Sequence, residues 1–153
     1  MNLSTNDEIN PKSLLYSGMS AGVTIIIVGT GLIPVLGSQM DEALKKLSVP
    51  PLSSAAMTYF GVMSLILGIV MMVIYAWVHK NFETTSGAVI TIALFFWFFT
   101  YFWSNAALVA YGFMSLKLAA MGTVYGLLEL VLAGAVGAKV YSMQEQRRVH
   151  NHA

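Results

Sequence analysis

Cysteine is absent from the sequence. Its absence excludes disulfide bonds, thiolate metal sites, cysteine nucleophiles and iron–sulfur clusters held by cysteine. Charge is scarce as well, since charged residues make up 10% of the 153 residues, whereas a typical soluble domain carries roughly 25%. Together with a mean hydropathy of +0.71, this scarcity of charge predicts an integral membrane protein rather than a soluble one.

A strong charge imbalance is also missing, because the net charge is +1, which gives no electrostatic case for nucleic-acid binding. The histidines are His79, His150 and His152, and none falls inside a long apolar run. Haem usually takes a histidine or methionine as axial ligand, and the methionines are scattered. The sequence contains no phosphate-cradling loop, catalytic triad or zinc motif. We therefore expect no cofactor, no metal site, no nucleic-acid partner and no catalysis.

Long apolar runs dominate what is present. They cover residues 14–36, 55–78, 86–114 and 118–141. A helix needs about 20 apolar residues to cross a bilayer, so each run is long enough to span one. The sequence therefore predicts one all-α membrane domain over residues 1–153, a four-helix bundle running up-down-up-down in contact with membrane lipid.

The longest connection has a helical pattern of its own. Met40, Leu44 and Leu47 recur at helical spacing, while acidic and basic residues occupy the other face of the same segment. This pattern is typical of an amphipathic helix lying on a membrane surface. We predict such a helix over residues 38–48.

Small residues line one face of each predicted span. Small side chains let membrane helices approach closely. The predicted packing positions are Gly18, Gly22, Gly61, Gly68, Gly122, Gly126 and Gly137. Gly134 falls on a different face of the fourth span; if that face meets lipid, a larger side chain should be tolerated better there than at Gly126. The small-residue faces favour assembly with other membrane subunits or with copies of the same chain.

One acidic residue, Glu129, lies near the middle of the fourth run. A charge there costs at least ~2.5 kcal/mol, and no cation accompanies it within the spans. Asn105 and Glu129 lie 12 residues before and after Lys117, which places both about 18 Å from the turn. If the turn centres nearer Ser115, Tyr101 becomes level with Glu129 instead. We expect Glu129 to face inward, to be neutral near pH 7 and to be hydrogen-bonded to Asn105 or Tyr101.

Tyr125 lies one turn from Glu129, at the edge of the same face. The aromatic run over residues 95–103 surrounds the third span on all sides, because successive helix positions point in different directions. Such a run cannot form a single ligand platform, and we predict that it serves packing and lipid contact.

Basic residues set the predicted orientation. Lys12, Lys80, Lys139, Arg147 and Arg148 fall on the side of the termini, against Lys45, Lys46 and Lys117 on the other side. The positive-inside rule then places both termini in the cytoplasm. We expect the protein to lie in an inner or plasma membrane.

The role of Glu129 divides the functional hypotheses. As a neutral acid it can fix helix register through an interhelical hydrogen bond, which suits a structural or accessory subunit, or a homo-oligomer, without catalysis of its own. This is the leading hypothesis. As a proton or cation site it suits an oligomeric proton-linked transporter or channel for a small solute or ion. A third hypothesis is binding of a lipid or hydrophobic cofactor. A cavity that reaches Glu129 distinguishes transport from the structural role.

Overall fold

The structure, a computed structural model, describes residues 10–48, 50 and 53–151, apart from the side chains of residues 149 and 151. Expectations for residues 1–9 and for His152 lie outside the described residues. The helices are α1 (Pro11–Gly31), α2 (Ile33–Lys46), α3 (Ser54–Val78), α4 (Thr85–Trp97), α5 (Trp103–Ala110) and α6 (Leu116–Asn151). A π-helical turn, Phe98–Phe102, joins α4 to α5.

The segments that are long and apolar enough to cross a membrane form the body of the fold. They are Pro11–Gly31, Ser54–Asn81, Thr85–Ala110 and Leu116–Arg148. α1 packs against both α3 and α6, and α4 packs against α6 and, less extensively, against α3. The core lies where these helices meet and includes Met71, Met72 and Leu130. The predicted all-α four-helix membrane bundle is confirmed.

Polar caps explain why two of the spans begin where the sequence predicts. The Ser53 hydroxyl accepts from Ala56 N at 3.2 Å and starts α3, and the Thr84 hydroxyl accepts from Gly87 N at 3.1 Å and starts α4. A side-chain oxygen at this position satisfies a backbone N–H that the first helical turn leaves free. The predicted starts at residues 55 and 86 are each one residue late.

The first span ends five residues before the predicted position, at Gly31 rather than Leu36. Pro34 has no N–H with which to continue the ladder to Thr30, and its ring is tolerated only in the first turn of a new helix. Leu32 N therefore donates back to Gly29 O at 3.1 Å, and α2 starts at Ile33. The predicted loop helix is thus longer than expected at its start and reaches into the bundle through the buried side chain of Leu36.

The third span also ends earlier than predicted, at Ala110 rather than Met114. Gly112 has a φ of +75°, a left-handed conformation that favours glycine. Its N–H donates to Val109 O at 3.0 Å, and Phe113 N donates to Leu108 O at 2.9 Å. This pair of bonds is the Schellman arrangement that closes a helix C-terminus, so Gly112 belongs to the turn.

The closest helix contact in the bundle is the crossing of α1 and α3. A Cβ atom on Gly18 would lie 2.6 Å from Ile69 Cα, and one on Gly22 would lie 2.6 Å from Leu65 Cα. A Cβ atom on Gly68 would overlap the backbone of Gly22. The two backbones can approach this closely only because these positions have no side chain.

Not every small residue is used as the sequence suggests. A Cβ atom on Gly61 would have nothing within 4 Å among the described residues, so Gly61 is not at a close helix contact. The condition that the face of Gly134 meets lipid is not fulfilled, because Gly134 is buried and a Cβ atom there would lie 3.0 Å from Val89 Cγ1. α6 therefore packs against α4 at Gly134 as well as against α1 and α3 at Gly137, so its buried surface is wider than one stripe of small residues.

Candidate functional site

Glu129 is 4% exposed, on the face of α6 that turns towards α1 and the π-helical turn. Its Oε2 accepts a hydrogen bond from the Tyr101 hydroxyl at 2.8 Å. Its Oε1 points towards α1, since a Cβ atom on Gly29 would lie 3.5 Å from it. None of the described residues donates a hydrogen bond to Oε1. Glu129 therefore keeps one oxygen available to a ligand.

Tyr101 reaches Glu129 because α6 has a glycine, Gly126, where the Tyr101 ring approaches it. A Cβ atom on Gly126 would collide with the Tyr101 ring, so the ring lies directly against the α6 backbone. Tyr101 belongs to the π-helical turn, and the wide turn is accompanied by a hydrogen bond from Ser104 Oγ to Phe99 O at 3.2 Å. Turns of this kind often occur at functional sites.

Asn105 does not bond to Glu129. Its Nδ2 donates to Thr123 Oγ1 at 2.9 Å, about two turns before Glu129 on α6. The turn between α5 and α6 centres near Ser115, so Tyr101 is level with Glu129 and Asn105 is level with Thr123. Of the two predicted partners of Glu129, the structure brings only Tyr101 to it.

Tyr125 links α6 to the end of α1. Its hydroxyl donates to Val28 O at 2.7 Å. That carbonyl has lost its usual helical partner because Leu32 N donates to Gly29 O instead. The Tyr125 hydroxyl thus caps a carbonyl that the break before Pro34 leaves free.

The remaining predicted packing glycines on α6 differ in their surroundings. A Cβ atom on Gly122 would lie 3.7 Å from Asn105 Nδ2, which is ordinary contact, and one on Gly137 would lie 3.2 Å from Ala21 Cβ. Gly122 therefore lies beside the polar pair of Asn105 and Thr123, whereas Gly137 lies in the tight interface with α1.

The aromatic run divides between lipid and the interior. Phe95, Phe99 and Trp103 are exposed on the outside of the bundle. Trp97 turns inward, and its Nε1 donates to Thr123 O at 2.7 Å. The run thus supplies an outer surface suited to lipid and three residues that pack against the core, Phe96, Trp97 and Tyr101.

A cavity of about 480 Å³ extends from α2 to Glu129. It lies between the end of α1, α2, the start of α3, α5 and α6. Its lining residues are Gly29, Leu32, Ile33, Leu36, Gly37, Met40, Asp41, Met57, Tyr101, Asn105, Met114, Leu118, Gly122, Tyr125 and Glu129. Small-molecule sites typically occupy about 300–1,000 Å³, so the cavity is large enough for a small ligand.

The cavity is apolar along its walls and acidic at both ends. Asp41 is exposed on α2, so the cavity opens at the α2 end of the bundle, whereas Glu129 is buried. The side chains of Leu130, Met71 and Met72 are almost fully buried in the core and do not line the cavity. Among the residues that the structure describes, the cavity extends from Glu129 to the α2 end of the bundle.

The sequence points to Glu129, Tyr101, Asn105 and Tyr125, and all of them line the cavity. The contribution of Asp41 and the methionine walls is not apparent from the sequence. Both depend on the direction in which α2 leaves α1, which Pro34 makes possible but does not specify.

Comparison of the chain with protein-family models, with curated proteins and with solved structures finds no match. The geometry of the cavity and the chemistry of its lining are therefore the basis on which a function can be proposed.

Proposed function

We propose that this protein is a membrane transporter that binds a small solute in the Glu129 cavity and couples its movement to a proton. The observation that carries the proposal is the cavity that opens beside Asp41 and ends at the buried carboxyl of Glu129. Ionisable residues within a membrane usually face an interior or a water-filled space on a transport path. No catalytic residue is required.

Two arguments favour transport over the accessory-subunit hypothesis. Gly18, Gly22 and Gly68 are used in contacts within the chain, so these small residues do not call for a partner subunit. The bundle also has room for a ligand of its own. Assembly with other subunits or with copies of the chain remains a prediction, and transport is compatible with either.

The proposed coupling uses a single group in two states. With the cavity empty, Glu129 is protonated and hydrogen-bonded to Tyr101, because a charged carboxylate without a counterion is unfavourable within a membrane. Solute binding changes the stability of the charged form, and the proton leaves through the open cavity to water. A second conformation, in which the packing around Leu130, Met71 and Met72 loosens, releases the solute on the other side.

The proposed orientation of the protein in the membrane determines which side the cavity faces. With both termini in the cytoplasm of a cell with an inner or plasma membrane, α2 and the cavity mouth face the outside. The state described by the structure is then the outward-open one.

The experiment is a flux measurement in proteoliposomes that enclose a pH-sensitive dye. The probes are tetraethylammonium, sorbitol and gluconate, which represent cationic, neutral and anionic solutes. We expect at least one probe to drive proton movement through the wild-type protein and not through Glu129→Gln, which keeps the shape of the side chain but cannot titrate.

Glu83→Gln is the matched control, because Glu83 is an exposed acid outside the cavity, and it should behave as wild type. Failure of every probe, or equal proton movement in Glu129→Gln and wild type, would overturn the transport proposal.

A further inference from the structure

We infer that the ligand of the Glu129 cavity is an organic cation with an apolar body. The inference rests on the proposed function and specifies the class of its substrate. It follows from three features of the cavity: the charges of its lining residues, the Glu129 oxygen that has no hydrogen-bond donor among the described residues, and the apolar side chains of its walls.

The charged side chains that line the cavity are acidic among the residues that the structure describes. Glu129 and Asp41 contribute carboxyl groups, and no lysine, arginine or histidine lines the cavity among the residues that the structure describes. Tyr101 and Tyr125 are the other titratable groups of the lining, and neither supplies a positive charge. A bound anion would meet carboxyl groups without any compensating cation, whereas a bound cation would neutralise Glu129 in surroundings of low dielectric constant, where such a pair is strong.

The Oε1 atom of Glu129 marks where the positive charge of the ligand would bind. Tyr101 holds Oε2, and Oε1 faces the part of the cavity beside Gly29 without a donor from any described residue. An N–H donor or a diffuse positive charge fits there. Tyr101 also lines this end of the cavity.

A metal ion does not fit the same position. Hard cations such as Ca²⁺ take 6–8 oxygen ligands, and the described residues contain no group of three or more side chains of the metal-ligating types His, Cys, Asp and Glu. The walls between Asp41 and Glu129 are largely hydrocarbon and thioether, with Met40, Met57 and Met114 among them. Methionine side chains adapt to irregular apolar shapes, so the walls suit an organic body rather than a hydrated ion.

Binding exchanges a proton for the cation. The protonated carboxyl of Glu129 and the incoming cation give a carboxylate–cation pair, and one proton passes to water in the cavity. Charge and atoms balance without a further reactant. Because one cation competes with one proton, the apparent Kd should rise by up to about tenfold for each unit by which the pH falls, over the range in which Glu129 is protonated in the ligand-free protein.

The test is equilibrium binding of tetraphenylphosphonium to the purified full-length protein in detergent. Tetraphenylborate is the matched control ligand, since it has nearly the same size and the opposite charge. We expect saturable binding of the phosphonium, release of protons when it is added, and no saturable binding of the borate. Glu129→Gln should weaken phosphonium binding on the order of tenfold or more, and Asp41→Asn about two- to fivefold because Asp41 is exposed. Glu83→Gln should have no effect.

Equal binding of phosphonium and borate would overturn the inference, as would wild-type affinity in Glu129→Gln. Proton release by the wild-type protein does not depend on any variant folding correctly, and its absence on phosphonium binding also contradicts the exchange. Phosphonium binding with proton release, but no solute-driven proton movement in proteoliposomes, would leave the ligand class standing and remove transport. Glu129-dependent proton movement driven by sorbitol or gluconate, without phosphonium binding, would support transport and rule out an organic cation as the ligand.

Discussion

At the scale of single residues, the contact between Tyr101 and Glu129 gives the site its geometry. The Tyr101 hydroxyl donates to Glu129 Oε2 at 2.8 Å, and the two residues are 28 positions apart in the chain. The bond holds the carboxyl group in one orientation and leaves Oε1 towards the cavity. Removing either partner leaves the other polar group buried without its hydrogen bond, which is unfavourable.

Tyr101→Phe and Glu129→Leu should each lower the free energy of unfolding by about 1–3 kcal/mol, because each orphans a buried polar group. The double variant should lose less than the sum of the two, by about 0.6 kcal/mol, the average coupling of hydrogen bonds between membrane helices, and by no more than about 1.7 kcal/mol. Equilibrium unfolding in mixed detergent micelles checks this. Tyr111→Phe is the control, because Tyr111 is 74% exposed and should be neutral. Strictly additive losses would show that the two side chains do not interact.

At the scale of helices, the crossing of α1 and α3 fixes how closely the bundle packs. Gly18 and Gly22 on α1 face Gly68 on α3, and the backbones touch where side chains are missing. α1 is thereby held against α3 on one side while it packs on α6 on the other, which sets the position of Gly29 and Val28 beside the site.

Gly68→Ala should destabilise the protein by about 1–3 kcal/mol, since the added methyl group must push two backbones apart. Gly61→Ala, on the same helix, is the control. It should be neutral or slightly stabilising, because a Cβ atom there meets nothing within 4 Å among the described residues and alanine favours helix more than glycine does. The measurement is the unfolding midpoint of both variants in the same detergent. Equal losses would mean that the α1–α3 crossing is not the close contact.

Sequence patterns predict these elements unevenly, for physical reasons. The apolar runs place the starts of α3 and α4 to within one residue, because span length is a local property and the Ser53 and Thr84 side chains cap the helices just before these runs. Pro34 marks a break, but its effect falls on the preceding turn, so α1 ends at Gly31. The π-helical turn has no sequence signature that distinguishes it from the surrounding aromatic run.

The site is predictable to a similar degree. A carboxyl group in an apolar run identifies Glu129, and helical geometry limits its partner to Asn105 or Tyr101. The choice between them depends on the centre of the turn, which Gly112 moves towards Ser115. The cavity cannot be read from the sequence, because it depends on the angle between α1 and α2 and on side chains from distant helices.

At the scale of the whole molecule, the cavity makes the two ends of the bundle different. The cavity lies between the α2 end and Glu129, and the almost fully buried side chains of Met71, Met72 and Leu130 lie in the core outside it. If the basic residues orient the protein as proposed, the open end faces the outside and the charged C-terminal part of α6 lies in the cytoplasm.

The orientation can be tested with single introduced cysteines, because the chain has none of its own. Glu42→Cys and Gln146→Cys lie at exposed positions at opposite ends of the bundle and leave every lysine and arginine in place. In intact cells an impermeant maleimide should label position 42, and position 146 should react only after the membrane is opened. The reverse pattern would invert the orientation and would place the cavity mouth in the cytoplasm.

The central claim is that Glu129 exchanges a proton for a ligand at the end of the cavity. Infrared difference spectroscopy of the purified protein near pH 7 tests this most directly, because the C=O stretch of a protonated carboxyl group is separate from the bands of a carboxylate. Adding tetraphenylphosphonium to the wild-type protein should remove a protonated carboxyl band and produce a carboxylate band, and neither change should occur in Glu129→Gln. An unchanged carboxyl band in the wild type, or the same difference spectrum in Glu129→Gln, would contradict the account.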